Sequence, residues 1–300
     1  MPKCYEIPTV WILGDTGRVG SALKTKCLEN EWNILSTNSD VDVTDEDGLF
    51  DYVIKNKILC KYIVNCVGYT NVDKAETDQD ACTRLNVDAT RNICRLALLL
   101  NATLIHLSTD YVFDGNKYAP YIEEDAVYPI NFYGKTKVLA EQIVSTTVDN
   151  YFIIRTSGLY GIHGSNFVKT MLHKMQTEDM LSVVYDQIVS PTNIADLIDA
   201  IYQIMENRFD VFGTYHFANC GGISWYEFAH YIYQLSKKHH LLNNKCVSIQ
   251  PISASQYNAP APRPIYSVLD STKISTTFDK ISNRDCIEAL DDYLRLGRMI

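Results

Sequence analysis

A parallel, doubly wound α/β fold is predicted by two features of this sequence. Short apolar, β-branched runs alternate with amphipathic helical stretches over the first 156 residues. The first of these runs also delivers directly into Gly14-Asp-Thr-Gly-Arg-Val-Gly20, which opens a helix. Glycines at such a junction allow a tight turn and close backbone approach, and the helix N-terminus then faces an anion such as a pyrophosphate. This is the context of a Rossmann-type dinucleotide-binding sheet, and after residue 156 a smaller C-terminal α/β half follows.

Each element has its own signal. Residues 9–13 form the first strand and 19–29 the helix that leaves the glycine turn. Residues 32–36 are the second strand, whose end decides between NAD and NADP, because a carboxylate there would take the ribose 2′-hydroxyl. Here the end reads Ser36-Thr37-Asn38, with no carboxylate before Asp40, while Arg18 lies where it can meet a 2′-phosphate. NADPH is therefore the expected cofactor, with NADH left open through Asp42, which can contact the adenosine. Thr44 and Asp47 form a predicted capping box for the next helix.

Residues 62–67 make the third strand, followed by Gly68-Tyr69-Thr70-Asn71, small and polar where a ligand would cross the sheet. Residues 78–100 read as one helix, capped by Thr77 and Asp80 and buried over 96–100. The fourth strand, 103–108, carries Thr109 to the carboxyl edge, and 152–156 is the fifth.

The chemistry concentrates between residues 107 and 140. Ser108-Thr109-Asp110-Tyr111 closes an apolar run, and Tyr133-Gly-Lys-Thr-Lys137 follows. Positions i and i+4 share one helix face, so the Lys137 ammonium can approach the Tyr133 phenol and lower its pKa. A Tyr so tuned can exchange a proton with a carbonyl oxygen, to which Thr109 adds a hydroxyl. Spacing alone is weak, since Tyr233 and Lys237 repeat it; a solvated helix face is the ordinary reading of such a pair. Only Tyr133 follows both a hydroxyl cluster and a glycine turn.

After residue 156 the rhythm weakens. Residues 157–164 hold three glycines, 166–176 are helical, 181–185 a strand, 186–192 a polar turn and 194–206 an amphipathic helix. A short strand at 214–217, a capping box at Ser224 and Glu227 opening a helix to about residue 238, a stiff Pro262-Arg263-Pro264 segment and a final helix near 285–296 complete the chain. The cofactor domain should comprise 1–156 with about 186–212, interleaved with a second domain of about 157–185 and 213–300, which the resemblance described below implies binds the nucleotide sugar.

Composition excludes several classes. A formal charge of −9 without a Lys/Arg run argues against nucleic acid. No apolar run reaches membrane length, and residues 1–8 with the short run after them are no signal peptide, so a cytoplasmic protein is expected. Nine cysteines, odd in number and without Cys-x-x-Cys, suit a reduced compartment, and no His/Cys/carboxylate cluster suggests a metal.

Together these residues resemble the extended short-chain dehydrogenase/reductase superfamily and, within it, the dTDP-4-dehydrorhamnose reductases. The likeness runs through Tyr69-Thr-Asn-Val-Asp-Lys-Ala-Glu76, Ser108-Thr-Asp-Tyr-Val-Phe113, Tyr133-Gly-Lys-Thr-Lys137, Arg155-Thr-Ser157, Asn166-Phe-Val-Lys-Thr-Met-Leu172, Asp186-Gln187 and Pro262-Arg-Pro264. The resemblance implies reduction of the 4-keto group of a UDP- or dTDP-linked 4-keto-6-deoxy sugar by NADPH. Tyr133 would protonate the nascent alkoxide, Lys137 would tune it and hold the nicotinamide ribose, and Thr109 would orient the carbonyl. It further implies cofactor contacts from Gly14, Thr16, Gly17, Arg18, Val19, Gly20, Asp42, Val43, Cys66, Val67, Gly68, Tyr69, Ser108, Arg155 and Thr156. The nucleotide sugar would meet Thr70, Thr109, Tyr111, Gly158, Asn166, Lys169, Gln187 and Arg263.

Two positions depart from the family pattern. Gly158 stands where Trp usually follows Arg-Thr-Ser, which leaves room for a bulkier, 2-acetamido sugar unless a neighbour refills the gap. Ala22 replaces a carboxylate that in some relatives helps hold a metal between subunits, so a homodimer is left open without that bridge. Epimerisation at C3 is a further expectation, since a 4-ketone acidifies that proton. The competing reading is a non-catalytic, NADP-binding regulatory subunit like the β subunit of methionine adenosyltransferase.

Overall fold

The computed structural model describes residues 9–207, 211–242 and 245–297, so the residues 1–8 read above for a leader lie outside it. The first half runs through β1 (Val10–Leu13), α1 (Arg18–Glu29), β2 (Ile34–Thr37), α2 (Glu46–Asn56) and β3 (Tyr62–Asn65). It continues with α3 (Val72–Ala75), α4 (Gln79–Thr83), α5 (Ala89–Leu100), β4 (Thr103–Thr109), α6 (Phe132–Thr147) and β5 (Tyr151–Thr156). Then come β6 (Leu159–Tyr160), α7 (Phe167–Thr177), β7 (Met180–Val184), β8 (Ile188–Val189), β9 (Thr192–Asn193), α8 (Ile194–Asn207) and β10 (Gly213–His216). The chain closes through β11 (Ile223–Ser224), α9 (Trp225–Lys238), β12 (Ser248–Ile252), α10 (Ala254–Tyr257), α11 (Thr272–Thr277) and α12 (Cys286–Gly297).

Six strands form one parallel sheet in the order β10-β5-β4-β3-β1-β2. Helices cover both faces, which is why the strands read as nearly continuous apolar runs. Side chains alternate across the sheet. Val10 and Ile12 pack toward α1 and α8, with Leu23, Leu197 and Ile201, while Trp11 and Leu13 pack toward α2 and α5, with Leu49, Ile93 and Leu96. Strand order reverses between β1 and β3, and that switch point opens a crevice at the carboxyl edge. A third core joins α7, α9 and α12 over the parallel pair β7–β12 through Val168, Leu181, Phe228 and Leu290.

The structure corrects several sequence expectations. The strand assigned to the C-terminal half, now Gly213–His216, is the last strand of the large sheet and pairs with β5. Thr44 does not cap α2: its hydroxyl donates back to Asp42 Oδ1 at 2.7 Å, and Asp45 takes the Gly48 amide instead. Thr77 likewise donates to the Lys74 carbonyl, and no side chain caps α4. The segment read as one helix over 78–100 is broken by a π turn at Arg84–Asp88, and Leu98 and Leu99 on α5 are exposed. Residues 186–192, read as a polar turn, contain β8 and reach the start of β9. The Ser224/Glu227 capping box forms as expected.

Candidate active site

Sheet topology brings the glycine turn, the β3–α3 segment, the end of β4 and the start of α6 to one edge. A Cβ on Gly20 would stand 2.2 Å from the Gly14 carbonyl oxygen, so only glycine lets α1 pack this closely on the turn. Gly17 caps α1 without a side-chain bond, and the first turn carries no acidic residue, so nothing repels an anion there.

Three cavities follow one another along this edge. The first, about 190 Å³, is lined by Gly17, Arg18 and Val19, by Cys66, Val67, Gly68, Tyr69 and Thr70, and by Ser108, Tyr133, Lys137 and Thr156. The second, about 210 Å³, shares Arg18, Thr70, Ser108, Tyr133 and Thr156, and adds Thr109, Asp110, Tyr111, Gly158 and Trp225. The third, about 310 Å³, is reached past Tyr111 and Trp225 and holds Phe167, Lys174, Gln187, Tyr257 and Arg263. Tyr133 therefore stands on the wall common to the first two. A larger cavity of about 430 Å³ lies apart, between α1, α8 and α12, and includes Ala22.

The chemical groups are held from behind. Thr109 Oγ1 donates to the buried Asp110 at 3.0 Å, and Ser157 and Ser267 add hydroxyl donors to the same carboxylate at 2.7 and 2.6 Å. Burial raises the Asp110 carboxyl above its ordinary value, and the three hydroxyls pull it back. Burial pushes the Tyr133 phenol up to about 12, against the Thr109 hydroxyl and with help from the Asp110 charge. Lys137 does not depress that phenol, contrary to the expectation from spacing. Its Nζ donates to the Leu107 carbonyl at 2.6 Å and lies 3.4 Å from His106 Nε2, and burial lowers it to about 8.

Asn86, which the sequence reading did not single out, ties the site together. The π turn aims it so that its Oδ1 accepts the Tyr69 amide at 2.7 Å while Nδ2 donates to Thr136 at 2.9 Å. It thus locks the β3–α3 segment to the helix carrying Tyr133. Arg263 donates to Asp73 Oδ2 at 2.9 Å and, from its other terminal nitrogen, to the Ala261 carbonyl at 3.1 Å, and it holds the Asp73 carboxyl below its ordinary value. Trp225, Lys174 and Tyr257 were missed too. Trp225 is the first residue of α9, and nothing local to Ser-Trp-Tyr-Glu shows that the capping box turns its indole toward Gly158.

Several assignments are corrected. Arg155 does not line the cofactor cavity: it forms a buried fork with Glu141 at 2.9 and 2.7 Å and lies 5.2 Å from the Phe113 ring. Asn166 spends its side chain capping α7 and bonding the Gly161 carbonyl, and Lys169 donates to the Ile162 carbonyl. Neither lines any of the three cavities; Lys174, further along α7, is the cation that does. Gly14, Gly20 and the exposed Thr16 shape the turn itself. Asp42 and Val43 line none of the three cavities: Asp42 accepts from Thr44, and the buried Val43 offers its carbonyl to Asn92.

Comparison with known proteins agrees with this geometry. A family described as "RmlD substrate binding domain" matches residues 8–297. A dTDP-4-dehydrorhamnose reductase of Aggregatibacter actinomycetemcomitans is 35% identical over 273 residues, spanning 89% of this chain and 92% of its own length. The crystal structure of the Bacillus anthracis dTDP-4-dehydrorhamnose reductase in complex with NADP superposes with a TM-score of 0.88 at 34% identity, covering 96% of this chain and 99% of that one. That of a Clostridium acetobutylicum ortholog gives 0.89 at 32%, covering 97% and 100%. With nearly its whole length matched, the chain belongs to the RmlD substrate binding domain family.

Proposed function

We propose that this protein is an NADPH-dependent reductase acting on the 4-keto group of a nucleotide-linked 4-keto-6-deoxy sugar, dTDP-4-dehydrorhamnose being the substrate named for its relatives. The observation that carries the reading is the position of Tyr133, with Thr109 beside it, where the glycine-turn cavity meets the cavity leading to Arg263. The first cavity suits a dinucleotide. Its helix N-terminus is free of acidic side chains, and Thr156 Oγ1 is buried there without a hydrogen-bond partner. Arg18, read from the sequence as the 2′-phosphate partner, instead donates to the Leu159 and Ser165 carbonyls at 3.3 and 3.4 Å and brings its charge to the Tyr133 side of the cavity.

When bound, the dinucleotide supplies the hydride. The rest falls to the chain. Tyr133 donates to the ketone oxygen, and Thr109 joins it by turning its hydroxyl from Asp110, whose carboxylate keeps the Ser157 and Ser267 donors. With its phenol pushed up to about 12, Tyr133 is protonated throughout the neutral range and gives that proton to the alkoxide. Lys137, one turn along α6, supplies positive charge to the same region. Arg263 and Lys174 offer charge to a diphosphate, and Phe167 and Tyr257 supply apolar walls for a base.

Gly158 supports a plain 6-deoxy sugar over a 2-acetamido one. Its φ is +55° and a Cβ would meet Pro191 Cα at 3.0 Å, while Trp225 enters the space beside it from α9. The refilled gap argues against extra room. A phenol held protonated also favours reduction over C3 epimerisation, which needs a base. The division of labour follows: β1 to β5 with α8 and β10 hold the cofactor, and α7, α9, Gln187 and the segment carrying Tyr257 and Arg263 hold the nucleotide.

The test is NADPH consumption with dTDP- and UDP-linked 4-keto-6-deoxy sugars, plain and 2-acetamido, beside Tyr133→Phe. Turnover of the plain sugar that disappears in the variant, without deuterium entering at C3 in heavy water, supports every part of the reading. Tight NADPH binding with no turnover of any sugar would favour the regulatory subunit.

A further inference from the structure

Behind Lys137 lies a buried pair that the reduction steps above do not use. Asn65, at the end of β3, stands opposite His106 on β4 in the sheet register, and both are buried. The orientation of the Asn65 amide follows from the backbone, because its Oδ1 accepts the Val67 N–H at 3.0 Å. Its Nδ2 is therefore the atom 3.1 Å from His106 Nδ1. An amide nitrogen only donates, so Nδ1 must accept, and the single proton of the neutral ring belongs on Nε2. That Nε2–H lies 3.4 Å from Lys137 Nζ. An ammonium has no lone pair to receive it; a free amine has one and can still donate to the Leu107 carbonyl.

An imidazolium fits no better, since its Nδ1–H would face the Asn65 amide hydrogens. Burial and the neighbouring Lys137 also hold His106 well below its ordinary value. The other groups facing Lys137 leave this balance in place. Glu141 favours the ammonium, but its carboxylate is taken by Arg155 and Ser108. Cys82, from α4, approaches Thr136 at 3.5 Å, and burial raises its thiol. Tyr133 is a neutral phenol.

We propose that Asn65 and His106 are positioning residues that favour the free amine of Lys137 in the cofactor-free protein, so that in mildly alkaline solution cofactor binding draws a proton from solvent onto Nζ. The inference rests on the NADPH reading above. The lowering of Lys137 to about 8 by burial runs in the same direction. In that pH range the device leaves the site with one positive charge fewer until a polyanionic ligand arrives, and the charge then appears beside it.

Two measurements test this. Nitrogen-15 NMR of the cofactor-free protein, with His106 assigned by its loss in His106→Gln, should show Nε2 protonated and Nδ1 bare; the opposite tautomer overturns the proposal. Calorimetric titration of NADPH at pH 9, in buffers of different ionisation enthalpy, should show close to one proton taken up per NADPH by the wild type. In H106Q the carboxamide oxygen can turn to Nζ and stabilise the ammonium beforehand, so uptake should fall to roughly a third or less. Equal uptake in both, or none in the wild type, overturns it. Should H106Q fail to fold, Asn65→Asp makes the same prediction, because a carboxylate would draw the proton to Nδ1 and leave Nε2 an acceptor. Failure of NADPH to bind would count against the cofactor assignment, whereas the tautomer is read in the free protein.

Discussion

Helices α6 and α9 carry the same two side chains at the same spacing, Tyr133 with Lys137 and Tyr233 with Lys237, in opposite surroundings. Lys137 is 6% exposed, Tyr133 faces two cavities, and the helix starts at the carboxyl edge of a parallel sheet. Lys237 is exposed and lies over the ring of its own Tyr at 5.3 Å, and among the described residues Tyr233 OH reaches the backbone of Lys245 and Val247, at 3.5 and 3.4 Å. The spacing is thus a permission, and burial beside a cavity is what sets Tyr133 and Lys137 apart. Four substitutions would break or sharpen the contrast.

The largest effect is expected at Tyr133. Tyr133→Phe removes the proton donor and should lower kcat by roughly 10²–10⁴-fold with NADPH affinity kept. Activity retained in that variant would erase the distinction between the helices. Next comes Lys137→Met. Native Lys137 titrates at about 8 and the unfolded side chain near its ordinary 10.5, so near neutral pH the native state bears the cost of burying a charge. The variant should be more stable than wild type by about 3 kcal/mol at pH 7, although inactive. The native protein loses its proton first, so that gap should close as pH rises from about 8 past 10.5.

Trp225→Ala should come third. Loss of the indole between Gly158 and the nucleotide cavity should raise KM for the sugar nucleotide by about tenfold, leave NADPH affinity unchanged, and relax the preference for a plain sugar. An unchanged KM would mean that Trp225 only packs against Phe167, whose ring centroid is 4.6 Å away. The smallest effect belongs to Tyr233→Phe, which should alter stability by no more than about 0.5 kcal/mol and kcat not at all.

The same contrast marks where sequence reading succeeds. The alternation of β1 through β5 with helices was legible because both faces of a parallel sheet are buried and leave continuous apolar runs. The glycine turn, Thr109 and the α6 pair were legible because backbone geometry and proton transfer restrict the residue types. Local competition hid other features: Thr44 and Thr77 turn back to bond residues before them, so two capping boxes did not form. The two-residue strands β8 and β9 are too short to carry a period. Arg155, Asn166 and Lys169 looked functional because their residue types suit ligands, yet Arg155 and Asn166 are consumed by interior partners and Lys169 by the carbonyl of the exposed Ile162. Trp225, Asn86 and His106 reach the site only through tertiary packing, which no local pattern encodes.

The placement of β10 has a consequence for how the chain is made. The large sheet takes its sixth strand from residues 213–216, after β6 to α8 have already been synthesised. Until that segment leaves the ribosome, β5 is an open, apolar edge, the kind of surface that pairs with other chains. A nascent protein halted before residue 213 would carry the glycine turn, Thr109, Tyr133 and Lys137 complete while remaining prone to aggregate. Dividing this molecule into two separately expressed halves at residue 156 would recreate that hazard permanently.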